Sequence, residues 1–242
     1  MPNLYIGTSG FTYSDWRNAF YPKGTPQKQW LAYYAQHYNA VEINATFYRP
    51  FGREVYERWN ELTPPEFRFV LKGPKTITHE KVLADGSADL DGFISQTATL
   101  GEKLAAVLWQ FPASVRAEAT RDALAAFLPI LPRHVRHVFE FRHKSWFTED
   151  IYALLNAHNA GFVVNDSPRF PSADVSTGGI LYMRFHGPGK IYDSAYSPHQ
   201  LHEWADKIAP RLSSCETFIF FNNTMRGLAL GNADSLRAYL AA

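Results

Sequence analysis

Eight short runs of β-branched and aromatic residues recur along this chain, each followed by a loop and, with one exception, by a helix-length segment. They occupy residues 4–8, 40–46, 67–72, 105–110, 135–142, 161–166, 180–186 and 217–222. Strands separated by helices pair in parallel, because the crossover returns the chain to the edge it left. Eight such units in 242 residues fit closure into a (β/α)8 TIM barrel, a fold of ~250 residues. No linker, repeat or low-complexity tract divides the sequence, so residues 1–242 are expected to form one domain.

The helices carry readable punctuation. Residues 27–38 place Trp30, Leu31, Tyr34 and Tyr38 on one stripe. A second helix, 53–62, must stop before Pro64-Pro65, and 90–100 and 121–128 supply the next two. Thr148 is placed as the cap of a fifth, ending near Asn159 ahead of Gly161. Ser197-Pro198 offers a cap and a first-turn proline to the seventh, and Asn232 is read as the cap of the eighth, 233–240. The exception is the sixth unit: residues 167–179 hold two prolines and two glycines among Ser and Thr, so a loop is expected in place of its helix.

In such barrels the working residues sit at the carboxyl ends of the strands. Period-two geometry sorts those ends. Glu42, Asn44 and Thr46 share one face of their run; so do Glu140 with Arg142, and Tyr182 with Arg184 and His186. The alternate positions Val41, Ile43, Phe139, Phe141, Met183 and Phe185 are apolar and must meet the helices, which turns the polar sets into the lumen. Lys72, Gln110, Asp166 and Asn222 end other strands. The lumen thus collects Glu42, Glu140 and Asp166 against Lys72, Arg142 and Arg184, with His186 adjustable. Buried charges persist only when paired or coordinated. Either the set satisfies itself as a plug, or it lines a ligand pocket.

The motifs that hold these residues resemble a known family. Ile6-Gly7-Thr8-Ser9-Gly10-Phe11-x-Tyr13-x-x-Trp16 followed by Phe20-Tyr21-Pro22 is similar to the opening signature of the YecE-like family, domain of unknown function 72. Val41-Glu42-Ile43-Asn44-Ala45-Thr46-Phe47-Tyr48 resembles its second motif, with Ala45 where Ser is usual; Phe11 likewise stands where Trp is frequent. Lys72-x-Pro74-x-x-Ile77-Thr78-His79, Gln110-Phe111-Pro112, Glu140-Phe141-Arg142-His143-x-Ser145-Trp146, Arg184-Phe185-His186-Gly187 and Phe221-Asn222-Asn223 extend the likeness over nearly the whole chain. The resemblance implies a TIM barrel and no particular reaction.

Three chemistries can be built from these residue types. Glu42, Glu140, Asp166 and His186 could hold a divalent metal, but three nearby cations already match the carboxylates and no His-x-His or His-Glu-x-x-His spacing occurs, so no cofactor is expected. Glu42 and Glu140, on opposing strands, could act as a glycosidase pair, yet the fourth and seventh strand ends offer Gln110 and Arg184 where retaining barrels place carboxylates. The loops after strands seven and eight, His186-Gly187-Pro188-Gly189-Lys190 and Asn222-Asn223-Thr224-Met225-Arg226-Gly227, could cradle a phosphate on glycine amides with Lys190 and Arg226.

The expectation is therefore an enzyme for a small polar anionic substrate, a sugar phosphate or nucleotide fragment, with hydrolysis, isomerisation and lyase chemistry all open. Glu42, Glu140, Asp166 and His186 are the candidate catalytic groups. Ser9, Tyr13, Trp16, Asn44, Tyr48, Lys72, His79, Gln110, Arg142, Trp146, Arg184, Asn222 and Asn223 are the candidate substrate contacts. The first loop is rich in rings, which with Phe47, Tyr48 and Trp146 could stack on a ligand, and Lys75, His79 and His143 share that face. Aromatic and basic residues also keep open a barrel that binds or processes single-stranded nucleic acid, but a net charge of +1 from 24 basic and 23 acidic residues supplies no basic coat for it. A non-catalytic ligand-binding or scaffold barrel is the remaining alternative. No run reaches the ~18 apolar residues of a membrane span, and the N-terminus lacks a basic segment before an apolar core; with one cysteine, Cys215, a cytoplasmic protein is expected.

Overall fold

In a computed structural model, which describes residues 3–84 and 87–241, the eight runs form a closed barrel of parallel strands. They are β1 (Leu4–Ser9), β2 (Ala40–Ile43), β3 (Arg68–Lys72), β4 (Leu104–Gln110), β5 (Arg136–Glu140), β6 (Gly161–Asp166), β7 (Ile180–Phe185) and β8 (Glu216–Phe221). β1 closes the ring by pairing β2, with Ser9 opposite Glu42, and β8, with Gly7 opposite Phe220.

The seven α-helices among the described residues are α1 (Trp30–Tyr34), α2 (Arg53–Leu62), α3 (Ser87–Thr97), α4 (Ala117–Phe127), α5 (Glu149–Ala157), α6 (Pro198–Ile208) and α7 (Leu228–Ala241). The segment between β6 and β7 holds no helix, as its prolines and glycines dictate. It runs as a strap whose Ala173 and Val175 cover the core. At its far end Thr177 Oγ1 donates to Ala160 O and accepts from Phe162 N. α1 is shorter than its aromatic stripe predicts, since the chain turns after Tyr34 and Asn39 then ties it to β1, accepting from Ile6 N and donating to Leu4 O.

Ser197 caps α6 in a full capping box with Gln200. Thr148 holds the cap position of α5 but makes no side-chain cap bond. Asn232 is not a cap: α7 begins earlier, at Leu228, and the buried Asn232 carboxamide instead bonds Tyr196 N and Tyr196 O. Among the described residues, no helix is long and apolar enough to cross a membrane.

Two apolar layers result from the alternation. Phe69, Trp109, Phe139, Phe141, Phe185 and Phe221 face outward against the helices. Ala40, Val70, Ala106, Leu108, Val138, Val163, Ile180, Tyr182, Phe218 and Phe220 fill the lower lumen. Lumen space is tight at Gly161, where an added Cβ would stand 2.4 Å from Ile180 Cγ2 and 2.8 Å from Val138 Cγ1. Only above this plug of hydrocarbon do polar side chains begin.

Candidate functional site

The middle of the lumen is an ion-pair layer centred on Arg184 of β7, which is buried together with Glu42 and Glu140. Arg184 Nη2 and Nε donate to Glu42 Oε1 and Oε2 at 2.6 and 2.9 Å, and Nη1 donates to Glu140 Oε2 on β5. The remaining carboxylate sites are filled as well. Ser9 Oγ donates to Glu42 Oε1 at 2.7 Å, Tyr182 Oη to Glu42 Oε2 at 2.6 Å, and Arg142 Nε to Glu140 Oε1 at 2.7 Å. Burial alone would raise the Glu140 carboxyl, but the Arg184 and Arg142 charges outweigh it and hold it well below the usual range. Burial opposes the Arg184 charge too, and the two glutamates reverse that, pushing it above the ordinary arginine value.

Above this floor opens a pocket of about 500 Å³ at the strand carboxyl ends. Lys72, His79, Gln110, Arg142 and Asn222 line it, with Asn44, Phe47 and Tyr192. Lys72 Nζ donates to Gln110 Oε1 at 2.8 Å and sits 3.9 Å from the centre of the Phe47 ring. It has no carboxylate within ion-pair distance among the described residues. Burial, and after it the Arg184 charge, lowers its pKa to about 7. His79 approaches the same carboxamide, its Nε2 lying 3.5 Å from Gln110 Nε2 while Nδ1 shares a 2.8 Å hydrogen bond with Thr78 Oγ1. Burial and the Lys72 charge lower His79 to about 4, so its ring is neutral near pH 7.

His186 is more deeply set. Its Nε2 lies 3.1 Å from Asn165 Oδ1 and its Nδ1 3.1 Å from Asn222 Nδ2. That pattern assigns the proton to Nε2, with the Asn222 amide donating to Nδ1. Burial first, then Arg184, lowers its pKa to about 3. His186 therefore orients Asn222 at the pocket wall and has no nitrogen left for a proton or a metal.

Several expected contacts lie elsewhere. Asp166 is on the outer face of β6 with Phe162 and Val164, and accepts from Trp204 Nε1 on α6 at 2.9 Å; burial raises its pKa. Asn165 takes the lumen position. Among the described residues the lumen balance is thus two carboxylates against three cations, not three against three. Trp16 and Trp146 are fully buried, their indole N–H groups donating to Thr224 O and Val115 O, so neither can stack on a pocket ligand. Asn223 is buried and donates to Ser194 O and Asn232 Oδ1. Tyr13 bonds Ser9 O and lines a neighbouring cavity with Ser9, while Tyr48 stands at the rim, 69% exposed. Thr46 has left the strand for a 3-10 turn, donating to Lys72 O.

The three chemistries fare differently. Glu42, Glu140 and His186 have their donor and acceptor atoms occupied and Asp166 faces away, so these four do not assemble as metal ligands. Among the described residues no group of three or more His, Cys, Asp and Glu is arranged to hold an ion. The same clamping of Glu42 and Glu140 removes the glycosidase pair. In the seventh and eighth loops Lys190 and Arg226 both pair with Asp193, at 2.7 and 2.8 Å, so both cations of that cradle are already engaged by one carboxylate. His143 caps a short turn at Ser145 N and Lys75 pairs with Glu80.

Phe47, expected as a stacking ring, and Phe170, which the strand-end reading does not single out, both meet strand-end cations. Phe47 supports Lys72, and Phe170 of the strap lies 4.1 Å from the Arg142 guanidinium carbon. Their signal is weak, an aromatic in a loop next to a strand-end cation.

These features define a (β/α)8 barrel whose lumen is closed by an ionic layer beneath a small cationic mouth. The chain belongs to the family described as protein of unknown function DUF72, whose model matches residues 5–242. It is 27% identical to the UPF0759 protein YunF of Bacillus subtilis over 96% of this chain and 93% of that protein. It is 34% identical to the UPF0759 protein YecE of Escherichia coli K12, over 49% of this chain and 43% of the relative. A crystal structure of a DUF72 family protein from Thermotoga maritima superposes with a TM-score of 0.85 at 31% identity, covering 99% of both chains. One from Enterococcus faecalis shares the fold, with a TM-score of 0.81 at 21% identity, covering 99% of this chain and 96% of that one.

Proposed function

We propose that this barrel is an enzyme acting on a small polar molecule that carries an anionic group, bound in the mouth above the ionic layer. The observation that carries this reading is that Lys72 has no carboxylate partner among the described residues. Arg184 and Arg142 already meet Glu42 and Glu140, so the buried Lys72 is left with a neutral carboxamide and a ring face. A buried cation without a counter-ion is costly, and an anionic ligand supplies the missing charge. Arg142 adds a second contact: only its Nε is hydrogen-bonded among the described residues, and its terminal nitrogens are available to a carboxylate or phosphate in the fork geometry guanidinium favours.

The test is the melting temperature in rising phosphate, sulfate and simple sugar phosphates. A ligand of the native state stabilises it by RT ln(1 + [L]/Kd), about 2.7 kcal/mol at a hundredfold excess over Kd. The rise is expected in wild type and absent in Lys72→Met. Wild type indifferent to every anion, or Lys72→Met responding equally, refutes the reading.

A further inference from the structure

Resting on that reading of the mouth as an anion site, we infer that Lys72 is a covalent group: its amine condenses with an aldehyde or ketone that also bears a carboxylate or phosphate, giving an imine. The carboxylates of the lumen cannot serve as bases, because Arg184, Arg142, Ser9 and Tyr182 occupy their oxygens. His186 has both ring nitrogens engaged by carboxamides at 3.1 Å, whereas the His79 Nε2 contact with Gln110 is a looser 3.5 Å. Among the described residues Lys72 and His79 are therefore the basic nitrogens of the mouth left to offer a lone pair, and both converge on the Gln110 carboxamide.

A lysine meant only as a fixed positive charge would gain nothing from neighbours that discharge it. The charged groups acting on Lys72 are Arg184 and Arg142, which favour the free amine, and Glu140 and Glu42, which favour the ammonium; burial adds to the arginines. This is one of the ways in which proteins turn lysine into a nucleophile. Gln110 Oε1 and the Phe47 face hold Nζ in place at the strand end.

The step balances with the groups present. The Lys72 nitrogen adds to the carbonyl carbon as the C=O π bond breaks, and the oxygen takes up a proton. The neutral His79 ring can accept one proton from the nitrogen and return it to that oxygen, giving the carbinolamine. One further proton, from solvent, lets the hydroxyl leave as water as the nitrogen lone pair forms the C=N bond, and the product, keeping its second N–H, is a cationic iminium. Its charge faces the Phe47 ring, and the anionic tail of the substrate reaches the free nitrogens of Arg142.

Wild-type protein is incubated at pH 7 with glyceraldehyde 3-phosphate or pyruvate and sodium cyanoborohydride, and modified lysines are mapped by peptide mass spectrometry. The reductant delivers hydride to the iminium carbon and fixes the adduct. Lys72 is expected to react at least roughly tenfold faster than exposed lysines, since a pKa of about 7 against 10.5 gives it far more free amine. Glycerol 3-phosphate or lactate, which lack the carbonyl, should slow that reaction by occupying the anion site.

Labelling of Lys72 no faster than the surface lysines with both carbonyl probes overturns the imine. If phosphate still raises the melting temperature in that case, the anion site stands without it; if phosphate also has no effect, both readings fall. The mapping needs no variant, so a poorly folding Lys72 substitution does not obscure the result.

Discussion

Replacing Arg184 by Met separates a structural arginine from a ligand-holding one. In wild type the guanidinium bridges Glu42 and Glu140 inside the barrel, all three side chains being buried. Methionine fills comparable volume but leaves Glu42 with only the Ser9 and Tyr182 hydroxyls, while Glu140 keeps Arg142. Removing one partner of a buried pair costs roughly 3–5 kcal/mol because a charge is stranded. The retained Arg142 contact keeps the expected loss near the middle of that range, about 4 kcal/mol. For a chain of this length that corresponds to a fall of roughly 8–16 °C in melting temperature.

The loss should depend on pH. The Glu140 pKa is held down in the native state, so its contribution is present above the unfolded carboxylate value and fades as pH falls below it. The gap between wild type and variant is therefore widest near neutrality and narrows below about pH 4.5. Urea unfolding at pH 7 and pH 4 measures both points. Adding Glu42→Gln to Arg184→Met should recover part of the loss, because the stranded charge is removed. A loss under about 1 kcal/mol at pH 7, small beside the cost of a broken buried pair, or one independent of pH, refutes the reasoning and returns Arg184 to the ligand site.

Three other outcomes are expected. Lys72 has a folded pKa of about 7 against 10.5 unfolded, so between these values the unfolded chain binds the extra proton and stability rises with pH; Lys72→Met should lack this rise and be more stable than wild type at pH 6, by roughly 1–3 kcal/mol in urea unfolding. Trp146→Phe should cost roughly 1–3 kcal/mol, from lost volume and an unpaired Val115 carbonyl, yet leave the phosphate-induced melting shift intact; a lost shift would put this ring in the ligand site. Purified protein should carry no stoichiometric divalent metal by elemental analysis, and about one zinc or manganese per chain, lost in Glu140→Gln, would reinstate metal-assisted chemistry.

Much of the barrel is legible in the sequence because its signals are local. Hydrophobic alternation places Glu42, Glu140, Arg142 and Arg184 in the lumen, and the proline-glycine segment removes the sixth helix. Asp166 shows where a strand-end reading goes astray. Adjacent residues on a strand cannot face the same way, and the apolar Phe162 and Val164 mark Asp166 as outward and Asn165 as inward. Charge alone points to the wrong neighbour. Trp16, Trp146 and Asn223 fail for another reason. Motif membership does not distinguish a ring that stacks on a ligand from one that packs a loop, and their burial depends on contacts with segments distant in the chain, such as Trp16 on Thr224. The pairing of Lys190 and Arg226 with Asp193 is likewise a meeting of two loops, invisible to either alone.

The stacking of the lumen also bears on how such a chain can change. Its lower part is hydrocarbon, its middle is ionic and self-satisfied, and its top is a thin ring of groups with few obligations to the rest. Where one arginine both braces a barrel and grips its substrate, new chemistry must be acquired against a loss of fold. Here the central brace, Arg184, lies a layer below, and Arg142 is the mouth cation that also reaches into it, through Glu140. Lys72, His79 and Asn222 can be exchanged while the Glu42–Arg184–Glu140 brace stays intact. The mouth can thus drift in specificity without dismantling the layer that holds the staves together.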